Sequence, residues 1–168
     1  KTGNVDRHAL YSSGSGTDNL SFSYTVQSGD NSSDLGYHST SALALNGGTL
    51  RDSAGNSATL TLPAPGSPGS LSSSKTLVID TTPLSIAGVS SPNPDGSYGI
   101  GDNLTITVLF SEQVTVLGSP RLRLKTGSSD RHALYSSGSG TDNLSFSYTV
   151  QSGDNSTDLN YHSTSALA

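Results

Sequence analysis

Leu20-Ser21-Phe22-Ser23-Tyr24-Thr25-Val26 carries an apolar or aromatic side chain at every second position, with Ser or Thr between. A period of two sends these groups to one side of an extended chain and the hydroxyls to the other, whereas a helix would scatter them around its axis. The stretch therefore reads as a β-strand with one buried and one solvated face. It recurs letter for letter at residues 144–150. The repeat extends well beyond the strand: residues 1–44 and 125–168 differ only at Asn4/Ser128, Val5/Ser129, Ser33/Thr157 and Gly36/Asn160, at an offset of 124 positions. Near-identity at a fixed spacing marks a tandem array.

Working outward, the block opens with a short strand candidate, Arg7 to Ser12, followed by the turn residues Ser13-Gly14-Ser15-Gly16-Thr17-Asp18. After it, residues 35–45, 58–62 and 75–80 read as further strands, separated by Asn46-Gly47-Gly48, by Asp52-Ser53-Ala54-Gly55-Asn56 and by a Pro/Gly/Ser-rich stretch at 63–74. That last stretch is expected to be an extended surface loop, because each Pro removes a ladder donor. Between the copies, residues 84–89, 104–110, 114–116 and 122–124 supply more strands, and Leu104-Thr105-Ile106-Thr107-Val108-Leu109-Phe110 alternates most clearly. Pro83 stiffens the joint. The expected organisation is the C-terminal part of one repeat at 1–80, a linker at 81–83, and the N-terminal part of the next at 84–168. The first part lacks the strands bearing Leu104, Ile106, Val108, Phe110, Val114, Val116, Leu122 and Leu124, so neither part is expected to stand alone. The expectation is a window onto a longer polypeptide, with exchange of strands between chains as the alternative. One rejoined repeat would have eight or nine strands, the number of an antiparallel sandwich.

Composition agrees. Only 31% of residues are hydrophobic, aromatics are few and Ser, Gly and Thr abound, which suits short strands with many turns and leaves little helical material. The net charge of -5, with eight scattered Lys and Arg, provides no footprint for nucleic acid or an anionic membrane. Apolar runs such as Leu77-Val78-Ile79 are too short to span a bilayer. Without Cys there are no disulfides or thiolate metal sites.

Several motifs together resemble a known family: Val108-Leu109-Phe110-Ser111-Glu112-Gln113-Val114-Thr115-Val116, residues 20–30, Leu43-Ala44-Leu45-Asn46-Gly47-Gly48-Thr49, Asp52-Ser53-Ala54-Gly55-Asn56 and Val78-Ile79-Asp80-Thr81-Thr82-Pro83. They are similar to the tandem immunoglobulin-like repeats of very large secreted bacterial and algal surface proteins. The resemblance implies an all-β fold of antiparallel immunoglobulin-like β-sandwich repeats in tandem. It further implies an extracellular, cell-surface or appendage location and a non-enzymatic structural role, as a stalk or a filament shaft such as a mastigoneme. The partners implied are neighbouring repeats of the same polypeptide and other filament or cell-surface proteins. The alternative is an adhesin module that recognises carbohydrate or protein. Relatives often read Asp-Leu-Asp-Tyr after the acidic loop, where this chain has Gly36 and Asn160, so a cation site using that second carboxylate is in doubt.

Candidate sites are of three kinds. Asn19, Asn31, Asn103, Asn143 and Asn155 each begin an N-x-[ST] sequon and are candidate glycan acceptors, against chance occurrence in a Ser- and Asn-rich chain. The Ala-Pro and Ser-Pro pairs of 63–68 resemble hydroxyproline glycosylation sites of algal and plant walls. Asp30, Asp34, Asp80, Asp95, Asp102 and Glu112 are hard oxygen donors near loops or the joint and are candidate calcium ligands, against ordinary solvated turn residues; no EF-hand spacing is present. His8, His38, Asp6 and Ser12 could suggest a hydrolase, yet no nucleophile elbow surrounds them, and their reappearance at His132, His162, Asp130 and Ser136 suits duplicated scaffold. Thr59/Thr61 and Thr105/Thr107 could form a flat ligand- or ice-binding face, against ordinary solvent-side strand positions.

Overall fold

The computed structural model describes residues 1–3 and 5–168; Asn4, one of the positions that differ between the copies, lies outside the described residues. The chain forms two compact units, Lys1–Thr82 and Pro83–Ala168.

In the first unit, β1 (Leu10–Ser13) and β2 (Ser21–Ser23) form an antiparallel pair with Tyr11 opposite Phe22. The turn between them rests on Gly14, whose φ of +106° favours glycine and whose missing Cβ would lie 2.0 Å from the Asn19 carbonyl oxygen. The strands expected over 35–45, 58–62 and 75–80 do not form. In their place stand isolated antiparallel bridges, Ser32 to Ile79 and Arg51 to Ser57, and scattered bonds such as Leu62 N–H to the Thr40 carbonyl at 2.8 Å. The physical reason is the absence of neighbours: apolar alternation favours a strand only where another strand completes its ladder and covers its face. A second correction concerns 63–74, where Leu71–Ser74 is one helical turn, α1, capped by the buried Ser70, whose hydroxyl accepts from Ser73 N–H at 3.3 Å. Ser is a favoured N-cap, and it follows the last Pro of the stretch. The Asp52 turn forms as read, with Oδ1 accepting from Ala54 and Asn56 N–H.

The second unit is a curled, six-stranded antiparallel sheet of β-sandwich type. Its strands are β3 (Ile86–Ser90), β4 (Asn103–Val114), β5 (Arg121–Lys125), β6 (Arg131–Ser137), β7 (Thr141–Thr149) and β8 (Asn160–Tyr161), in the order β3-β4-β7-β6-β5-β8. Strands β5, β6 and β7 follow one another antiparallel, and β4 lies against β7 instead of β5, which is a Greek key. The alternation read at 104–110 is realised: Leu104, Ile106, Val108 and Phe110 are buried, and the Thr residues between them are half-buried. Opposite them, Val108 faces Leu144 and Ile106 faces Phe146 in register, and Leu122, Leu124 and Ala133 complete the core. The strand expected at 114–116 does not form: Val114 is the last residue of β4, past a register irregularity after Leu109, and Thr115 and Val116 lie outside any strand.

One sequence thus folds in two settings. The pairs Leu10–Ser23, Tyr11–Phe22 and Ser13–Ser21 recur as Leu134–Ser147, Tyr135–Phe146 and Ser137–Ser145, with the same irregularity and the same edge-on contact of the two rings. Burial differs sharply, since Phe146 is 0% exposed and Phe22 is 43% exposed. The hairpin is encoded locally, whereas its core is supplied by β4 and β5. Ile79 is the one buried hydrophobic side chain among the described residues of the first unit.

Candidate functional site

The most elaborate polar constellation in each unit is a carboxylate clamp. Asp30 sits at the end of the loop after β2, with its side chain fully buried. Its Oδ1 accepts from Arg7 Nε–H at 2.9 Å, and its Oδ2 accepts from Gln27 N–H at 2.8 Å and from the Tyr24 hydroxyl. The copy matches group for group: Asp154 accepts from Arg131 Nε–H at 2.8 Å, from Gln151 N–H at 2.8 Å and from the Tyr148 hydroxyl. In the second unit Tyr148, near the end of β7, places its hydroxyl in the loop, and Arg131 closes the circuit from β6; in the first, Tyr24 and Arg7 make the same bonds from outside the shorter strands. A buried carboxylate surrounded by donors stays ionised and fixes the elements that donate to it. The Tyr24 hydroxyl, with Gln27 and Arg7, draws Asp30 below the ordinary carboxylate range despite its burial. For Asp154 burial is the largest influence and pushes upward, but Tyr148, Arg131 and the Gln151 N–H together outweigh it and leave the carboxyl depressed. Tyr148 itself is pushed up to about 12, by burial and by its bond to Asp154.

These shifts set a pH profile for the second unit. A carboxyl depressed in the folded state contributes stability that is complete above the unfolded value of 3.8 and is lost as pH falls through the folded value. A tyrosine raised in the folded state contributes stability that is complete below 10.0 and is lost as pH rises towards about 12. Denaturant titrations across pH should therefore show a plateau between acid and alkaline limbs. Tyr148→Phe should remove the alkaline limb, shift the acid limb upward and cost about 1 kcal/mol at neutral pH. An unchanged profile in Tyr148→Phe would show that the clamp does not hold the fold.

The other candidates are dispersed. Asp30 is taken up by the clamp. Asp34 Oδ1 accepts from Leu77 N–H at 3.4 Å, and Asp80 Oδ1 from Thr82 N–H at 2.9 Å, a bond that holds the Asp80 carboxyl below its usual range. Asp102 Oδ2 accepts from Gly99 N–H at 2.7 Å, and Asp95 and Glu112 are exposed on a turn and on β4. Among the described residues no three acidic or His side chains gather as a metal-ligand set. Asp30, Asp34, Asp80 and Asp102 each accept from a nearby backbone or clamp donor.

All five sequon asparagines are exposed. Asn19 lies in the β1–β2 connection, Asn31 and Asn155 just after the clamp, Asn103 opens β4 and Asn143 lies within β7. The Asn31 Oδ1 accepts from Thr81 N–H at 3.0 Å, and the Asn103 Oδ1 from the Thr149 hydroxyl at 2.7 Å. His38 Nδ1 is 3.1 Å from Asp6 Oδ2 and His162 Nδ1 is 2.9 Å from Asp130 Oδ2, while Arg123 also reaches Asp130 at 2.8 Å. Ser12 and Ser136 donate instead to the Ser21 and Ser145 carbonyls inside their hairpins. Thr59 and Thr61 lie outside any strand, whereas Thr105 and Thr107 are half-buried in β4 beside β3.

The second unit also carries a cavity of about 710 Å³. Its floor is Leu104, Ile106, Leu122, Leu124 and Tyr148, and its rim includes residues 154–159. No helix of the described residues is long and apolar enough to cross a membrane. The chain matches no family model, no curated protein and no solved structure.

Proposed function

We propose that this chain is a structural segment of an extracellular tandem-repeat protein, built of immunoglobulin-like sandwiches joined end to end as a stalk or filament shaft. The observation that carries the reading is the doubled block: hairpins with the same register and clamps with the same three donors stand 124 positions apart, each beside a different flanking segment. In the second unit the block follows β3, β4 and β5; in the first it precedes residues 45–82. Rejoined around one block, the two flanking segments make up one repeat in its sequence order. The chemistry of the block suits mechanical work, since its conserved geometry consists of ladders, aromatic contacts and a buried ionic brace. Exposed sequons suit glycan shielding of the outer faces.

Stability in such an array is close to a sum of module and neighbour terms, so load unfolds modules one at a time. Pulling the native polypeptide should give evenly spaced force peaks separated by about 400 Å of contour, the reach of one repeat fully extended. A native mass near 17.1 kDa, or irregular peaks, would overturn the reading.

A further inference from the structure

The first unit shows what the block does with the segment that follows it. Residues 29–35 form a rail on which residues 77–81 lie extended. Ile79 N–H donates to the Ser32 carbonyl and Ser32 N–H to the Ile79 carbonyl, each at 2.8 Å, and Leu35 N–H donates to the Leu77 carbonyl at 2.7 Å. Thr81 fastens the end: its hydroxyl donates to the Asp30 carbonyl at 3.0 Å and accepts from Gly29 N–H at 2.9 Å, and its N–H donates to the Asn31 Oδ1 at 3.0 Å. Ile79 is 8% exposed, although its unit has little other core.

The second unit has the same rail at residues 153–159. Every residue that holds the strand is retained there, Gly29, Asp30, Asn31, Ser32 and Leu35 becoming Gly153, Asp154, Asn155, Ser156 and Leu159; the differing positions, Thr157 and Asn160, lie outside this set. The rail is also built in the same way. Asn31 N–H donates to the Thr2 carbonyl at 3.0 Å and Asn155 N–H to the Thr126 carbonyl at 2.9 Å. A Cβ on Gly3 would lie 2.9 Å from the Asn31 carbonyl oxygen, and one on Gly127 2.7 Å from that of Asn155. Yet no strand lies on the second rail among the described residues. It borders the cavity of about 710 Å³, whose floor is formed by core side chains.

We infer that the rail at residues 153–159 is a docking site for one extended strand of the sequence type Leu77-Val78-Ile79-Asp80-Thr81-Thr82, its Ile entering the cavity over Leu122 and Tyr148. The occupant is supplied in cis, by a further segment of the 45–82 type after the block. The first unit shows that such a segment can fold back onto its own rail. Main-chain bonds to Ser156 and Leu159 give affinity, and the Ile and Thr positions fix register, as in other strand additions. The inference rests on the tandem reading above but is tested separately from it.

The test compares the 168-residue chain with one extended after Ala168 by a copy of residues 45–83, using amide hydrogen exchange. Ser156 and Leu159 amides should exchange at least about tenfold more slowly in the extended protein, with β7 amides protected in both. Replacing the extension's Ile79 equivalent by Asp should abolish that protection and leave β4 and β7 unchanged. Unprotected Ser156 and Leu159 beside an intact β7 would refute the docking site. Protection that rises with protein concentration would refute the cis occupant. Should the extension disturb β7, a synthetic peptide of residues 75–83 added to the 168-residue chain replaces it, and saturable protection of the same two amides is required. A native mass near 17.1 kDa would sink the array and with it the cis occupant, while the docking site itself stands or falls by the exchange results.

Discussion

Phe146→Ala should destabilise the second unit by about 3–5 kcal/mol, while Phe22→Ala, the same change in the same local sequence, should cost the first unit only about 1 kcal/mol. Phe146 is fully buried between β4 and the ring of Tyr135, and truncation removes the transfer energy of the ring and leaves a cavity that a packed sheet cannot close. Phe22 keeps the equivalent contact to Tyr11 but is 43% exposed, so nearly half of the side chain already meets water and its removal leaves no enclosed cavity. Amide exchange resolved at β7 and β2 reads the two units separately. Equal losses in both would mean that the first unit has a core of its own.

Gly138→Ala should be nearly as damaging, at about 2–4 kcal/mol for the second unit. Gly138 has a φ of +110°, and an added Cβ would lie 2.2 Å from the Asn143 carbonyl oxygen and 2.9 Å from the Leu144 Cα. Both contacts are to backbone, so no rotamer relieves them, and the β6–β7 hairpin must open or shift. Gly140→Ala is the control: its φ is also positive, at +84°, but nothing lies within 4 Å of its Cβ. It should show only the backbone cost of about 1 kcal/mol. Comparable midpoints for the two variants in denaturant would show that the close approach is not what fixes the turn.

Much of the second unit was legible because its strands meet their partners. The alternation of 104–110 and 144–150 specified both the strands and their buried faces, and the Asp52 and Gly14 turns announced themselves by residue type. The same pattern at 20–26 yielded only Ser21–Ser23 as strand, because burial is a property of neighbours and a window of sequence contains none. The apolar content of residues 75–80 predicts a strand, and a single bridge at Ile79 stands in its place. The clamp was the largest miss. Asp154 reads as a solvated loop residue, yet Tyr148 ends the buried face of β7 and carries a hydroxyl inward to it. An inward phenol near an Asp six residues on, with both recurring beside an Arg, was the available sign.

The doubled hairpin also bears on how the chain is made. Val108 of β4 belongs with Leu144, about 36 positions away, but Leu20 stands in an identical local sequence about 88 positions away and leaves the ribosome first. Loop-closure entropy favours the nearer partner by only about 0.8 kcal/mol. Discrimination between right and wrong copies therefore depends on timing and on what already occupies the earlier hairpin. A nascent array of near-identical blocks is exposed to cross-pairing at every period unless each hairpin is claimed by its own β4 before the next one emerges.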